Sequence, residues 1–151
     1  MGDSAGGGLT IAFCQYIATL GLAQPSHLVG ISPWVDVSMT TSDYNAYQAT
    51  DPMLGAPGAA AMGKAWAGEL DTKNYMVSPL FGDVTCLPDT TLFTGTREIL
   101  CPDIVAFYEK MRAAGMNVKL IVGEGMNHVY PVYPIPEARR ALQVIAEIIS
   151  I

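Results

Sequence analysis

Positive charge is scarce in this sequence. Its 151 residues carry eight Lys plus Arg against fourteen Asp plus Glu, a net charge of −6. Of the eight basic residues, only Arg139 and Arg140 are adjacent. A phosphate backbone or an anionic membrane surface is bound through clustered Lys and Arg, so neither is expected as a partner. Charged residues make up 15% and hydrophobic ones 50%, which excludes a disordered chain. Long apolar runs are missing too: none reaches the roughly 18–20 residues that cross a bilayer. The N-terminus lacks the charged-then-apolar pattern of a secretory leader. Cysteine is sparse and odd in number, with Cys14, Cys86 and Cys101 forming no C-x-x-C pair. These three read as free thiols in a reducing cytoplasm, not as a disulfide framework or a zinc site. There is no internal repeat, low-complexity tract or flexible linker, so residues 1–151 read as one domain with enough chain to bury a core.

What is present alternates between strand-like and helix-like segments. Leu9 to Leu20 reads as a helix closed by Gly21, and Leu28–Ser32 as a short buried strand stopped by Pro33. Residues 33–89 are irregular, with a helical stretch near Ala59–Gly68. Regular alternation follows: a strand over Thr90–Gly95, a helix over Asp103–Ala114, a strand over Val118–Val122 and an amphipathic helix over Pro136–Ile149. Asp103 suits an N-cap. Strands alternating with helices of 10–15 residues imply an α/β architecture with a parallel sheet. About three core strands are visible, and the sequence opens at a strand-to-helix turn with almost no strand before it. It reads as the second half of a larger domain.

That opening carries the chemistry. Gly2-Asp3-Ser4-Ala5-Gly6 fits G-x-S-x-G, in which a serine sits on a sharp turn with its hydroxyl exposed. Gly2 and Gly6, lacking a Cβ, would let strand and helix approach closely. The structural alternative is a glycine-rich turn capped by Asp3 or Ser4. No Lys follows the glycines, so a phosphate-cradling loop is unsupported. A serine nucleophile needs a base and an orienting acid, in the order Ser, acid, His. Of the two histidines, His27 lies in a surface-like turn. His128 lies in a loop just past the Val118–Val122 strand, where such sheets place functional groups. Glu98 falls immediately past the preceding strand and is the expected acid, with pairing to Arg97 as its alternative use.

Several of these segments together resemble the hormone-sensitive-lipase-like esterases of the α/β-hydrolase fold. They are Gly2-Asp3-Ser4-Ala5-Gly6-Gly7, Ile31-Ser32-Pro33-Trp34-Val35-Asp36, Ser78-Pro79-Leu80, Glu98-Ile99-Leu100 with Asp103, and Gly125-Met126-Asn127-His128. The resemblance runs through nearly the whole chain in the family's order. It implies a partial α/β-hydrolase fold, the C-terminal portion starting at the nucleophile elbow, with residues 36–77 forming part of a helical cap over the acyl pocket. It further implies Ser4 as nucleophile, His128 as general base and Glu98 as the acid, where many members carry Asp. The Ala5 N–H would supply the oxyanion hole, and Trp34, Met53 and Trp66 would line the substrate pocket. The family's other oxyanion donors come from a His-Gly-Gly loop, a tripeptide these 151 residues do not contain. One lost donor costs about 2.7–4 kcal/mol of transition-state stabilisation. The implied function is hydrolysis of short-chain acyl esters through an acyl-enzyme, with no metal or organic cofactor. The alternatives are a serine peptidase or acyltransferase of the same fold, or a non-catalytic interaction module. An unpaired sheet edge before Ser4 predicts homo-oligomers.

Overall fold

In a computed structural model, which describes residues 1–41 and 44–150, four parallel strands form one sheet in the order β1-β2-β3-β4. The strands are β1 (Gly2–Asp3), β2 (His27–Ile31), β3 (Asp89–Gly95) and β4 (Val118–Gly123). The helices are α1 (Ser4–Thr19), α2 (Tyr44–Gln48), α3 (Ala56–Ala67), α4 (Cys101–Ala113) and α5 (Pro136–Ile149). Residues 42–43, inside the expected cap stretch, and the terminal residue 151 lie outside the described residues.

Strand periodicity decides which helix covers which face. Successive side chains of a strand point to opposite faces. Leu28 and Leu92 pack with Ile11 and Cys14 of α1 and with Ile104, Phe107 and Met111 of α4. Val29, Ile31 and Phe93 face the other way, onto Ala141 and Ile145 of α5. In α5 the buried residues Ala138, Ala141 and Ile145 recur at helical spacing, and Pro136 opens the helix. With every strand parallel, the carboxyl ends of all four lie along one rim of the sheet, and the loops leaving that rim carry Ser4, Ser32, Glu98 and His128.

Four expectations need correcting. The helix after the elbow starts at Ser4, not near Leu9, because α1 includes the glycine run. A short fourth strand, β1, pairs with β2 through Gly2↔Gly30 and Asp3↔Ile31. Asp103 does not cap α4, which starts at Cys101; Asp103 is buried and accepts hydrogen bonds from Thr41 Oγ1 (2.6 Å) and the Tyr44 hydroxyl. Burial raises its carboxyl pKa, although both hydroxyls favour the charged form. His27 is half-buried at the start of β2, with Nε2 3.0 Å from Thr91 Oγ1, so it is not a surface turn residue.

Candidate active site

Ser4 is the first residue of α1 and directly follows β1. Its φ of +50° lies in the left-handed region that non-glycine residues avoid. The turn survives because nothing intrudes on it. A Cβ on Gly2 would sit 2.3 Å from the Gly6 carbonyl oxygen, and one on Gly8 would sit 2.1 Å from that of Trp34. Gly6 itself has open space around its would-be Cβ, so the close approach expected of it belongs to Gly2 and Gly8 instead. The Trp34 N–H donates to the Ser4 carbonyl at 2.9 Å, tying the turn to the segment after β2.

The other two residues reach Ser4 from the ends of β3 and β4, which β2 separates from β1 in the sheet. Glu98 lies three residues past the end of β3 and His128 five past the end of β4. Their loops meet because Gly95 has no side chain: a Cβ there would lie 2.2 Å from the Met126 carbonyl oxygen. His128 Nε2 is 2.8 Å from Ser4 Oγ, and His128 Nδ1 is 2.5 Å from Glu98 Oε2. Ser4, His128 and Glu98 thus form one hydrogen-bonded row. His128 is 4% exposed and Glu98 0%, so the inner bond is shielded from water while Ser4 stays half-buried at the mouth.

Glu98 is held from every side. Its Oε1 accepts from Ser32 Oγ (2.8 Å), Thr94 Oγ1 (2.6 Å) and the Gly95 N–H (2.8 Å). Three donors on one oxygen and an imidazole on the other match a group that only accepts. With Nδ1–H donating to Glu98, the Nε2 lone pair points at the Ser4 hydroxyl, the tautomer a general base requires. Glu98 is not paired with Arg97, whose exposed side chain donates from Nε to the Thr50 carbonyl at 3.3 Å.

The sequence reading did not single out Ser32 or Thr94, nor Val129. Ser32 is fully buried, has φ +46°, and besides donating to Glu98 accepts from the Val129 N–H at 2.9 Å. Val129, next to His128, has φ +52°. Of the four non-glycine residues with positive φ among the described residues, three (Ser4, Ser32, Val129) therefore belong to this row or brace it. Such conformations cost on the order of 1–3 kcal/mol each and persist where the surroundings over-determine them. A polar residue closing an apolar strand was the available signal for Ser32; nothing in the sequence marked Val129. Burial raises the pKa of the Cys101 thiol and the Tyr130 phenol, and the Glu98 charge acts on both in the same direction.

Ala5 follows the serine in the first turn of α1, where helix N–H groups lack intrahelical acceptors and attract negative charge. Ala5, Leu9, Trp34, Met62 and Trp66 line an apolar hollow of about 160 Å³. Met53 is not on its wall. It lies against the His128 loop, where its Sδ accepts from Asn127 Nδ2 at 3.0 Å and from the Tyr133 hydroxyl at 3.2 Å. A second hollow of about 320 Å³, lined by His27, Thr90 and Asn117 among others, lies at the opposite rim of the sheet. Among the described residues no three His, Cys, Asp or Glu side chains cluster in a metal-holding arrangement, and no helix is long and apolar enough to cross a membrane.

Comparison with known proteins bears on this geometry. A family model described as alpha/beta hydrolase fold matches residues 1–132. The chain is similar to an acetyl-hydrolase of Streptomyces hygroscopicus, with 32% identity over 145 residues, covering 95% of this chain and 48% of that protein. It is also similar to an esterase of Acinetobacter venetianus, with 32% identity over 149 residues, covering 97% of this chain and 49% of that protein. Among solved structures, a hormone-sensitive lipase from a metagenome library superposes with a TM-score of 0.93 at 32% identity, over 99% of this chain and 52% of that one. The chain spans about half the length of the curated relatives it matches.

Proposed function

The chain belongs to the alpha/beta hydrolase fold family, and from that premise we propose that it performs serine-dependent hydrolysis of short-chain carboxylic esters. His128 Nε2 takes the proton from Ser4 Oγ as that oxygen attacks the ester carbonyl. Glu98 holds the imidazole and stabilises the imidazolium that forms. The Ala5 N–H, at the positive end of α1, donates to the oxyanion of the tetrahedral intermediate. Collapse of that intermediate breaks the bond to the alcohol oxygen, which takes its proton from His128 and departs, while the acyl group stays on Ser4. Water, deprotonated by His128, then cleaves the acyl-enzyme.

The observation that carries this reading is the unbroken row from Ser4 Oγ through the imidazole to Glu98, with bonds of 2.8 and 2.5 Å. A relative named acetyl-hydrolase supports a small acyl group, and one named esterase supports an ester substrate. The hollow of about 160 Å³ between Ala5, Trp34 and Trp66 also supports a small acyl group. Residues 36–77, which include α2 and α3, act in this reading as a cap over the acyl group. The test is a panel of p-nitrophenyl esters of increasing acyl length beside aminoacyl amides. Turnover of short esters with amides untouched is the expected result. Faster amide cleavage, or acyl transfer to added alcohol outrunning hydrolysis, assigns a peptidase or acyltransferase. No turnover of any member, together with no labelling of Ser4 by an organophosphorus probe, assigns a non-catalytic module.

The reading extends to assembly and setting. On α1 the side chains of Leu9, Phe13, Tyr16 and Leu20 are each more than 40% exposed. They form an apolar stripe beside β1, which pairs on one side only. In isolation the chain covers that surface by self-association, so size-exclusion chromatography should report a species larger than 16.1 kDa; a stable soluble monomer contradicts it. The three free thiols support a reducing, cytoplasmic setting, and the net charge of −6 disfavours a nucleic-acid partner.

A further inference from the structure

One short segment outside the row touches the loops of both its inner members. Residues 50–54 join α2 to α3. Asp51 Oδ1 accepts the N–H groups of Met53 (2.8 Å) and Leu54 (2.9 Å), closing a local turn. Its other oxygen, Oδ2, leaves the turn and accepts the N–H of Ile99 at 2.8 Å. Ile99 is fully buried and directly follows Glu98. The Thr50 carbonyl accepts from Arg97, directly before Glu98, and Met53 Sδ accepts from Asn127, directly before His128. Five consecutive residues therefore hold both flanks of the acid and one flank of the base.

We propose that Asp51 is a positioning residue for the Glu98–His128 pair, acting through the Ile99 backbone. The proposal rests on the ester-hydrolase reading of the same site. Oδ1 is sufficient to close the local turn, so the bond made by Oδ2 across 48 positions serves the Glu98 loop. Glu98 reaches His128 from a short loop, and small rotations of residues 97–99 change the carboxylate–imidazole bond. A fixed Ile99 N–H removes that freedom. The cap segment and the proton relay are thereby joined at one carboxylate.

Two variants separate the turn from the clamp. In Asp51→Ser the hydroxyl accepts from Met53 or Leu54 but falls short of Ile99. In Asp51→Asn the amide oxygen stays with the turn, and its NH₂ faces the Ile99 N–H, donor against donor. Asp71→Ser is the control, since Asp71 closes a similar turn on the Lys73 N–H (2.8 Å) without touching either loop. The readouts are the rate of Ser4 modification by an organophosphorus probe and the proton NMR signal of His128 Nδ1–H. Both Asp51 variants are expected to label roughly 10- to 100-fold more slowly, the scale of misplacing a reacting group by about 1 Å. Their Nδ1–H signal is expected to shift and exchange faster, while Asp71→Ser matches wild type in both. An unchanged Nδ1–H signal in the Asp51 variants overturns the proposal whatever the labelling rate. So does unfolding of both variants beside a folded Asp71→Ser, which makes the role purely structural. A wild type that never labels at Ser4, yet whose Nδ1–H signal responds to Asp51, removes the esterase reading and leaves the positioning role standing.

Discussion

Ser4→Ala is expected to lower ester turnover about a millionfold, or to the rate of buffer alone if that floor is reached first, the scale seen when a serine nucleophile is removed from a comparable row. The same change should abolish modification by an organophosphorus probe, because among the described residues no other hydroxyl lies against an imidazole that is itself held by a buried carboxylate. Thermal stability should change little. Ser4 Oγ bonds to His128 alone among the hydrogen bonds described, and the half-buried side chain contributes no packing to the core clusters. The left-handed backbone at φ +50° is imposed by Gly2, Gly8 and the Trp34 N–H, all of which remain. Steady-state assays of a short p-nitrophenyl ester, with mass spectrometry of the probe-treated protein, measure both effects. Turnover within about tenfold of wild type, or an adduct on another residue, would remove Ser4 from the reaction, since a bystander hydroxyl is worth no more than its one hydrogen bond.

The frame of the molecule was legible where one physical rule dominated. Pro136 and the spacing of Ala138, Ala141 and Ile145 set the limits of α5, which runs Pro136–Ile149 as the sequence indicated. Apolar runs bounded by Gly and Pro likewise marked β2, β3 and β4. Legibility failed where two local rules competed. Asp103 had the residue type of an N-cap, yet α4 starts two residues earlier and turns that side chain toward Thr41 and Tyr44, some 60 positions away in sequence. The helix was read from Leu9, yet α1 takes in the glycine run at a propensity cost of about 1 kcal/mol per glycine, and the missing Cβ of Gly8 leaves room for the Trp34 carbonyl.

In the candidate site, chain order and strand ends were enough to single out Ser4, Glu98 and His128 as candidates, because the carboxyl ends of parallel strands all lie along one rim of the sheet. The residues around them were not readable in that way. Ser32 meets Glu98 across 66 positions and Asp51 meets Ile99 across 48, and no local pattern encodes a hydrogen bond between two loops. Met53 illustrates the same limit: its sulfur accepts from Asn127 and Tyr133 beside His128, across 74 and 80 positions.

Glu98→Gln tests the inner half of the row and separates charge from shape. Oε1 of Glu98 accepts from two hydroxyls and from the Gly95 N–H, and a backbone N–H can only donate. The glutamine oxygen must therefore stay on that side, which turns its NH₂ toward His128 Nδ1. That nitrogen then becomes an acceptor, the ring proton moves to Nε2, and Nε2–H points at Ser4 Oγ as a donor. An imidazole in that tautomer takes no proton from the serine. The expected loss is about 10⁴ in kcat, as for the equivalent acid-to-amide change in a Ser-His-Asp enzyme. KM should stay near wild type, because the acid touches no substrate. Folding should survive, since each buried donor keeps an acceptor. Glu98→Asp should fall between the two: its charge keeps the useful tautomer, but a side chain one methylene shorter cannot reach both the three donors and the imidazole. Glu98→Gln turning over within about tenfold of wild type would show that the tautomer is set elsewhere, and the carboxylate would then be only a structural anchor for the loop after β3.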